Sequence, residues 1–143
     1  MLNLVTPFDL LIAATGGACF GIVFKIPPRY FLHATLLAII ARLGMLTVGA
    51  KTHIGFATFV TAFVVGSISH IFARATGKPA QAFLIPGVMF LVPGTSLYRA
   101  FSGAINADYQ SAMALIMQAV IVTASISFAL LLANWVLPSR RTL

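Results

Sequence analysis

Few side chains in this sequence can do chemistry, and Arg42 is the foremost of them. It falls near the middle of an apolar run at 31–50. An arginine at that depth of a bilayer costs about 2.5–3.5 kcal/mol on insertion scales, so it calls for a compensating role. No acidic residue stands one helical turn away, and the only two acids, Asp9 and Asp108, fall near the edges of apolar runs. Either Arg42 holds a solute carboxylate, or it pairs with backbone carbonyls or another subunit, or it snorkels toward an interface.

The second feature is a pair of dipeptides, Pro86-Gly87 and Pro93-Gly94, seven residues apart in one apolar stretch. That spacing is two helical turns, so both interruptions open on nearly the same face. Each proline lacks an N–H and clashes with the carbonyl four residues back, at Ala82 and Met89. Freed backbone in lipid has to be satisfied inside protein or beside a watery cavity. Paired Gly/Pro interruptions point to transport sites in membrane proteins. A kinked packing helix is the alternative, because both residues are frequent in membrane spans.

After Pro93 the helix is expected to restart, leaving free N–H groups around Gly94, Thr95 and Ser96. Such a terminus attracts anions, and the two hydroxyls and the aromatic, polar-tipped Tyr98 add contacts. Pro86, Gly87, Pro93, Gly94, Thr95, Ser96 and Tyr98, with Arg42, therefore form the candidate substrate site for a small carboxylate-bearing solute. Of three histidines, His53 falls in a connector and His33 near a span start, which leaves His70 as the proton-coupling candidate. Coupling through an intramembrane carboxylate is expected to come from another chain. Paired carboxylates, a Cys/His dyad, HExxH, CxxC and phosphate loops are all absent, so no enzyme, metal site or cofactor is expected.

These residues need spans to position them. The chain has 143 residues, 60% of them hydrophobic and 8% charged, against about 25% charged in soluble domains. Apolar stretches at about 8–24, 31–50, 54–73, 80–98 and 112–137 predict an all-α polytopic membrane protein. Those five spans, the fourth broken, form one transmembrane domain in the lipid bilayer, with a longer loop at 99–111. The net charge of +7 comes from scattered residues and does not indicate nucleic acid. With five spans, Lys25, Arg29, Arg74, Lys78, Arg140 and Arg141 share one side, while Lys51 and Arg99 share the other. The positive-inside rule then puts the N-terminus outside and the C-terminus in the cytoplasm.

Packing motifs are local. Gly17 and Gly21 form a GxxxG that lets helices approach closely, with Cys19 between them as a small packing residue. Thr58, Ala62, Gly66 and His70 make one small, polar stripe, and Ala112, Ala119, Thr123 and Ser127 line up another beside Gln118.

The segment Lys78-Pro79-Ala80 to Phe83, then Ile85-Pro86-Gly87-Val88-Met89-Phe90-Leu91-Val92-Pro93-Gly94-Thr95-Ser96-Leu97-Tyr98-Arg99, resembles the threonine/serine exporter family. It is similar to the short subunit, equivalent to the C-terminal half of longer fused exporters. Phe24 to Arg29, and Gly66 to His70 with Arg74, resemble the family's first and third spans. Many relatives carry another proline where Phe90 stands. The resemblance implies export of threonine and serine, or of dicarboxylates such as succinate, alongside a larger partner subunit or as a homo-oligomer. A non-transporting scaffold is the alternative from another class, and a passive channel a third.

Overall fold

Thr6 starts the first helix by a reciprocal cap. Its hydroxyl accepts from the Asp9 N–H at 3.3 Å, and the Asp9 carboxylate accepts from the Thr6 N–H at 3.3 Å. From there the structure, a computed structural model, describes residues 6–137. Among these residues it is all-helical: α1 (Pro7–Val23), a single 3-10 turn (Pro28–Tyr30), α2 (Phe31–Gly49), α3 (Ile54–Thr76), α4 (Gln81–Val88), α5 (Gly94–Ile105) and α6 (Tyr109–Val136). Three helical stretches, Pro28–Gly49, Ile54–Thr76 and Tyr109–Val136, are long and apolar enough to cross a membrane, and Pro7–Val23 is a shorter apolar helix. The fourth span is divided into α4 and α5, and the chain is a polytopic membrane protein.

Small residues set the packing. A Cβ on Gly17 would come within 2.7 Å of Ala38 Cβ, and one on Gly21 within 3.3 Å of the Phe31 ring. The expected GxxxG thus seats α1 on α2. Cys19, expected to pack, is exposed instead, because it lies on the opposite face from the two glycines. Gly44 of α2 sits against Thr61 of α3. The stripe Thr58, Ala62, Gly66, His70 is wholly buried, with Gly66 against Leu130 and Ala133 of α6.

The resulting order is a row, α1–α2–α3–α6, with α4 laid over α2 and α3 and touching α1. Phe83, Pro86 and Gly87 are the buried face of α4. Tyr30, His33, Phe72 and Phe83 clasp one end of the row through ring contacts of 4.7–6.1 Å between centroids. The basic residues Lys25, Arg29, Arg74 and Lys78 flank this end in sequence, and Arg29 stacks on Tyr30 at 4.8 Å. Arg140 and Arg141, part of the same charge count, lie outside the described residues.

Three sequence expectations change. The expected loop at 99–111 is largely helix, since α5 runs to Ile105 and α6 begins at Tyr109. The turn is short because Ala107 adopts a left-handed φ of 61° and Asp108 caps α6 by accepting from the Ser111 N–H. Arg99 consequently lies within α5 rather than in a connector. On α6 the buried stripe is Ala112, Ala119, Ile126 and Ala133, while Thr123 and Ser127 face outward. Their hydroxyls instead donate to the carbonyls of Ala119 and Thr123, four residues back.

α5 packs on α6 and on no other described element. Gly55, in the first turn of α3, faces Ile121 and Ser125, so residues 109–120 of α6 run ahead of α3. That is about 18 Å of helix at 1.5 Å per residue. α5 lies along that length, with Gly103 facing Ala112, and the two make a hairpin beyond the N-terminal start of α3. Its outward side chains include Phe101, Ile105, Met113 and Met117, all more than half exposed.

Candidate functional site

The fourth span breaks once, not twice. Pro86 lies inside α4 and is fully buried with Gly87, whose Cβ position is 2.9 Å from Val65 Cγ1 and 3.1 Å from Leu37 Cβ. Flush packing against α2 and α3 carries the helix through Pro86, and the Met89 N–H still donates to the Ile85 carbonyl. The interruption comes at residues 89–93. There the Leu91 N–H turns back to Val88, and the Gly94 N–H to Val92, each at 2.8 Å. Pro93 then caps α5 with no side-chain hydrogen bond.

Phe90 packs from this bend onto α1. Its ring tip would meet a Cβ on Gly16 at 2.5 Å, and it stands edge-on to Phe20 at 5.9 Å. Leu91 beside it is buried at 3% exposure. Gly94 and Thr95 are open, Ser96 is half-buried and Tyr98 is exposed. A Cβ on Gly94 would find nothing within 4 Å. The restart of the helix therefore offers backbone N–H groups and a threonine hydroxyl on an accessible surface.

Arg42 has the partner that helical-turn spacing did not reveal. Its Nη2 donates to Asp9 Oδ1 at 2.6 Å, joining α2 to the first turn of α1. The first turn of α1 thus carries the carboxylate that pairs with the arginine of α2. The signal was present in the chain's reflection about its first bend. Asp9 stands 17 residues before Ile26 and Arg42 stands 16 after it, so an antiparallel α1–α2 pair sets them level.

The structure does not bring all the candidates together. α2 and α5 share no contact, so Arg42 does not meet Thr95, Ser96 or Tyr98. The bend at Phe90 and the Asp9–Arg42 pair are linked through α1, where Gly16 and Asp9 lie seven residues apart. That is about 10 Å of helix. His70 is 6% exposed near the end of α3, and its Nδ1 is buried without a hydrogen-bond partner. An open groove of about 410 Å³ between α3 and α6 is lined by Gly55, Phe56, Phe59, Ala124, Ser125 and Phe128. Its one hydroxyl, on Ser125, donates to the Ile121 carbonyl, so this groove suits an acyl chain better than an anion. No group of three or more metal-ligating side chains occurs among the described residues.

A polytopic helical protein with a span broken at a proline-glycine pair and a charged pair between two helices has the parts of a membrane transporter. The family described as Threonine/Serine exporter, ThrE, matches residues 9–136, and the chain belongs to that family. An uncharacterized protein of Haemophilus influenzae is 33% identical over 98 residues, covering 65% of this chain and 32% of that protein. The chain thus spans about a third of the length of that relative. No solved structure matches the chain.

Proposed function

We propose that this chain is a subunit of a secondary exporter for small carboxylate-bearing solutes, threonine and serine first and dicarboxylates such as succinate second. The observation that carries this is the single break at 89–93, with an accessible helix start at Gly94, Thr95 and Ser96. The helix start there favours a carboxylate, and Arg42 supplies a cation on α2, where it is paired with Asp9. Pro86 and Gly87 serve the site as packing that fixes α4, and Pro93 sets the restart.

The same reading includes a larger partner subunit of the same family, or further copies of this chain. The relative's roughly twofold greater length and the uncovered apolar hairpin of α5 and α6 both support it. The basic end formed by Lys25, Arg29, Arg74 and Lys78 supports a cytoplasmic C-terminus in the bacterial inner membrane. His70 is the proton-coupling candidate, a reading supported by its buried Nδ1, which has no hydrogen-bond partner among the described residues.

One observation favours a non-transporting scaffold: Arg42 and the α5 start are not in contact within this chain. Export of labelled L-threonine, L-serine and succinate by cells carrying the chain alone, the partner alone, or both separates the two. An exporter subunit raises flux only when its Arg42 and Gly94 are intact. A scaffold restores flux even with both substituted, provided assembly survives.

A further inference from the structure

α5 is the most strongly amphipathic helix among the described residues. Ala100 is buried and Gly103 meets Ala112, so this face of α5 is the one laid on α6. Tyr98, Phe101 and Ile105, three and four residues apart, share one flank of that contact, while Thr95, Arg99 and Ser102 share the other. On α6, Tyr109, Met113 and Met117 recur every fourth residue. At about 100° per residue, both apolar rows lie about 120° from the contact face and in the same rotational sense. In an antiparallel pair that sets them on the same side of the hairpin. All six side chains are 58–85% exposed. The side they form carries no charge, because Arg99 belongs to the polar flank and Asp108 caps α6 at the turn.

Lipid tails do not reach this side. α3 has 23 residues, and at 1.5 Å per residue its length of about 34 Å fills the hydrocarbon core of about 30 Å by itself. Arg74 and Lys78 mark one end of α3, and Lys51 and His53 the other, so the two interfaces fall at its ends. The hairpin stands about 18 Å beyond the start of α3, and a tilt of about 40° still leaves about 14 Å of height. The headgroups take up only about 5–8 Å of that. An apolar side standing in water calls for protein against it. Its three aromatic rings alone, worth about 150–250 Å² each when fully buried, present roughly 400 Å². With Ile105, Met113 and Met117 the side approaches the area of about 800 Å² that each member of a stable pair buries. We infer that it is covered by the same side of a second copy of this chain, the two related by a two-fold axis along the membrane normal. Both copies sit the same way up, so this axis holds each residue level with its own counterpart. An uncharged side meets itself without like-charge repulsion, which matters in a chain of net charge +7. Met113 and Met117 are unbranched and polarisable, and adapt to an identical surface. This commits the assembly named above to one contact, and it stands whether or not the chain exports.

The test is disulfide crosslinking in native membranes, in a Cys19→Ser background that removes the one native thiol. Phe101→Cys, Ile105→Cys and Met113→Cys place single thiols on the apolar side, and Arg99→Cys and Ser102→Cys place them on the polar flank. After oxidation the chains are separated on non-reducing gels. A disulfide needs Cα atoms within about 7 Å, so the apolar-side position nearest the axis should run as a homodimer. Its mass should be twice the 15.2 kDa of the chain. Both polar-flank positions should give at least about tenfold less of it. A second measurement does not depend on thiol geometry. Ile105 is 85% exposed, so Ile105→Glu leaves the fold of one copy intact while putting a charge on the shared side. In lipid nanodiscs, wild type should weigh two chains and Ile105→Glu one. A one-chain mass for wild type overturns the inference, as does a two-chain mass for Ile105→Glu. Equal crosslinking from the two flanks of α5, or no homodimer from any of the three apolar positions, overturns it too. So does crosslinking of Ile105→Cys only to a chain of different mass, since another subunit then covers the hairpin. None of these readouts uses flux, so their failure and the failure of the export reading are told apart.

Discussion

Gly87 and Gly94 look alike in the sequence, each following a proline, yet they should respond oppositely to substitution. A Cβ at Gly87 comes 2.9 Å from Val65 Cγ1 and 3.1 Å from Leu37 Cβ, both on fully buried residues. Overpacking of this kind costs about 1–3 kcal/mol. Replacing a mid-helix glycine by alanine returns about 0.5–1 kcal/mol of backbone entropy. Gly87→Ala should therefore lose about 1 kcal/mol net, visible as a lower melting temperature of the purified protein in detergent. Gly94 has no neighbour within 4 Å of its Cβ position, so Gly94→Ala and Gly94→Leu should melt within about 0.5 kcal/mol of wild type. If a solute approaches this backbone, Gly94→Leu should nevertheless lose export. A fall of about tenfold or more corresponds to about 1.4 kcal/mol of lost solute interaction. Melting and export of L-threonine and succinate are read on the same preparations. Wild-type export by a well-assembled Gly94→Leu protein refutes the site at the break. Unchanged melting of Gly87→Ala refutes the close packing of α4 on α2 and α3.

The other predictions concern the ion pair, the proline pair, the core and the topology. Arg42→Ala should abolish export, and Arg42→Lys should keep part of it, since lysine retains the charge but not the planar fork; near-normal flux in Arg42→Ala sinks a role in binding. Pro93→Ala should impair export with normal assembly, whereas Pro86→Ala should chiefly lower stability, because only Pro86 is fully buried; equal effects of both on flux would contradict this division. Phe83→Ala should cost about 3–5 kcal/mol, since it empties the ring cluster that joins α2, α3 and α4, and a melting shift near zero would contradict the buried contacts. A reporter fused after Leu143 should read cytoplasmic and one before Met1 external, and the same side for both would refute five crossings.

What the sequence disclosed was what local spacing controls. Apolar length showed the helices, Gly17 and Gly21 showed a close-packing face on α1, and Pro93-Gly94 showed the start of α5. Pro86 misled because a proline's missing N–H is a local cost, whereas burial of Pro86 and the packing of Gly87 on α2 and α3 are tertiary features that no spacing displays. Asp9 was missed for a related reason. Its partner lies 33 residues away, and the two meet only because close contact at Gly17 and Gly21 fixes the register of α1 against α2. Thr123 and Ser127 looked like a polar stripe, but hydroxyls in a membrane helix satisfy themselves on their own backbone and can then face outward. The site candidates around Thr95 were legible as chemistry; their separation from Arg42 was not, because it depends on α5 leaving the row to follow α6.

The central claim is that solute meets the start of α5 at the break, and a single cysteine reads this directly. In a Cys19→Ser background that still exports, Thr95→Cys places one thiol on the exposed first turn of α5. Its rate of reaction with a membrane-impermeant thiol reagent is measured in vesicles, with and without saturating L-threonine or succinate. The account predicts a reactive thiol whose labelling slows about tenfold when transported solute is present and is unchanged by a non-transported sugar. A thiol that does not react, or that reacts at the same rate with and without solute, would contradict it.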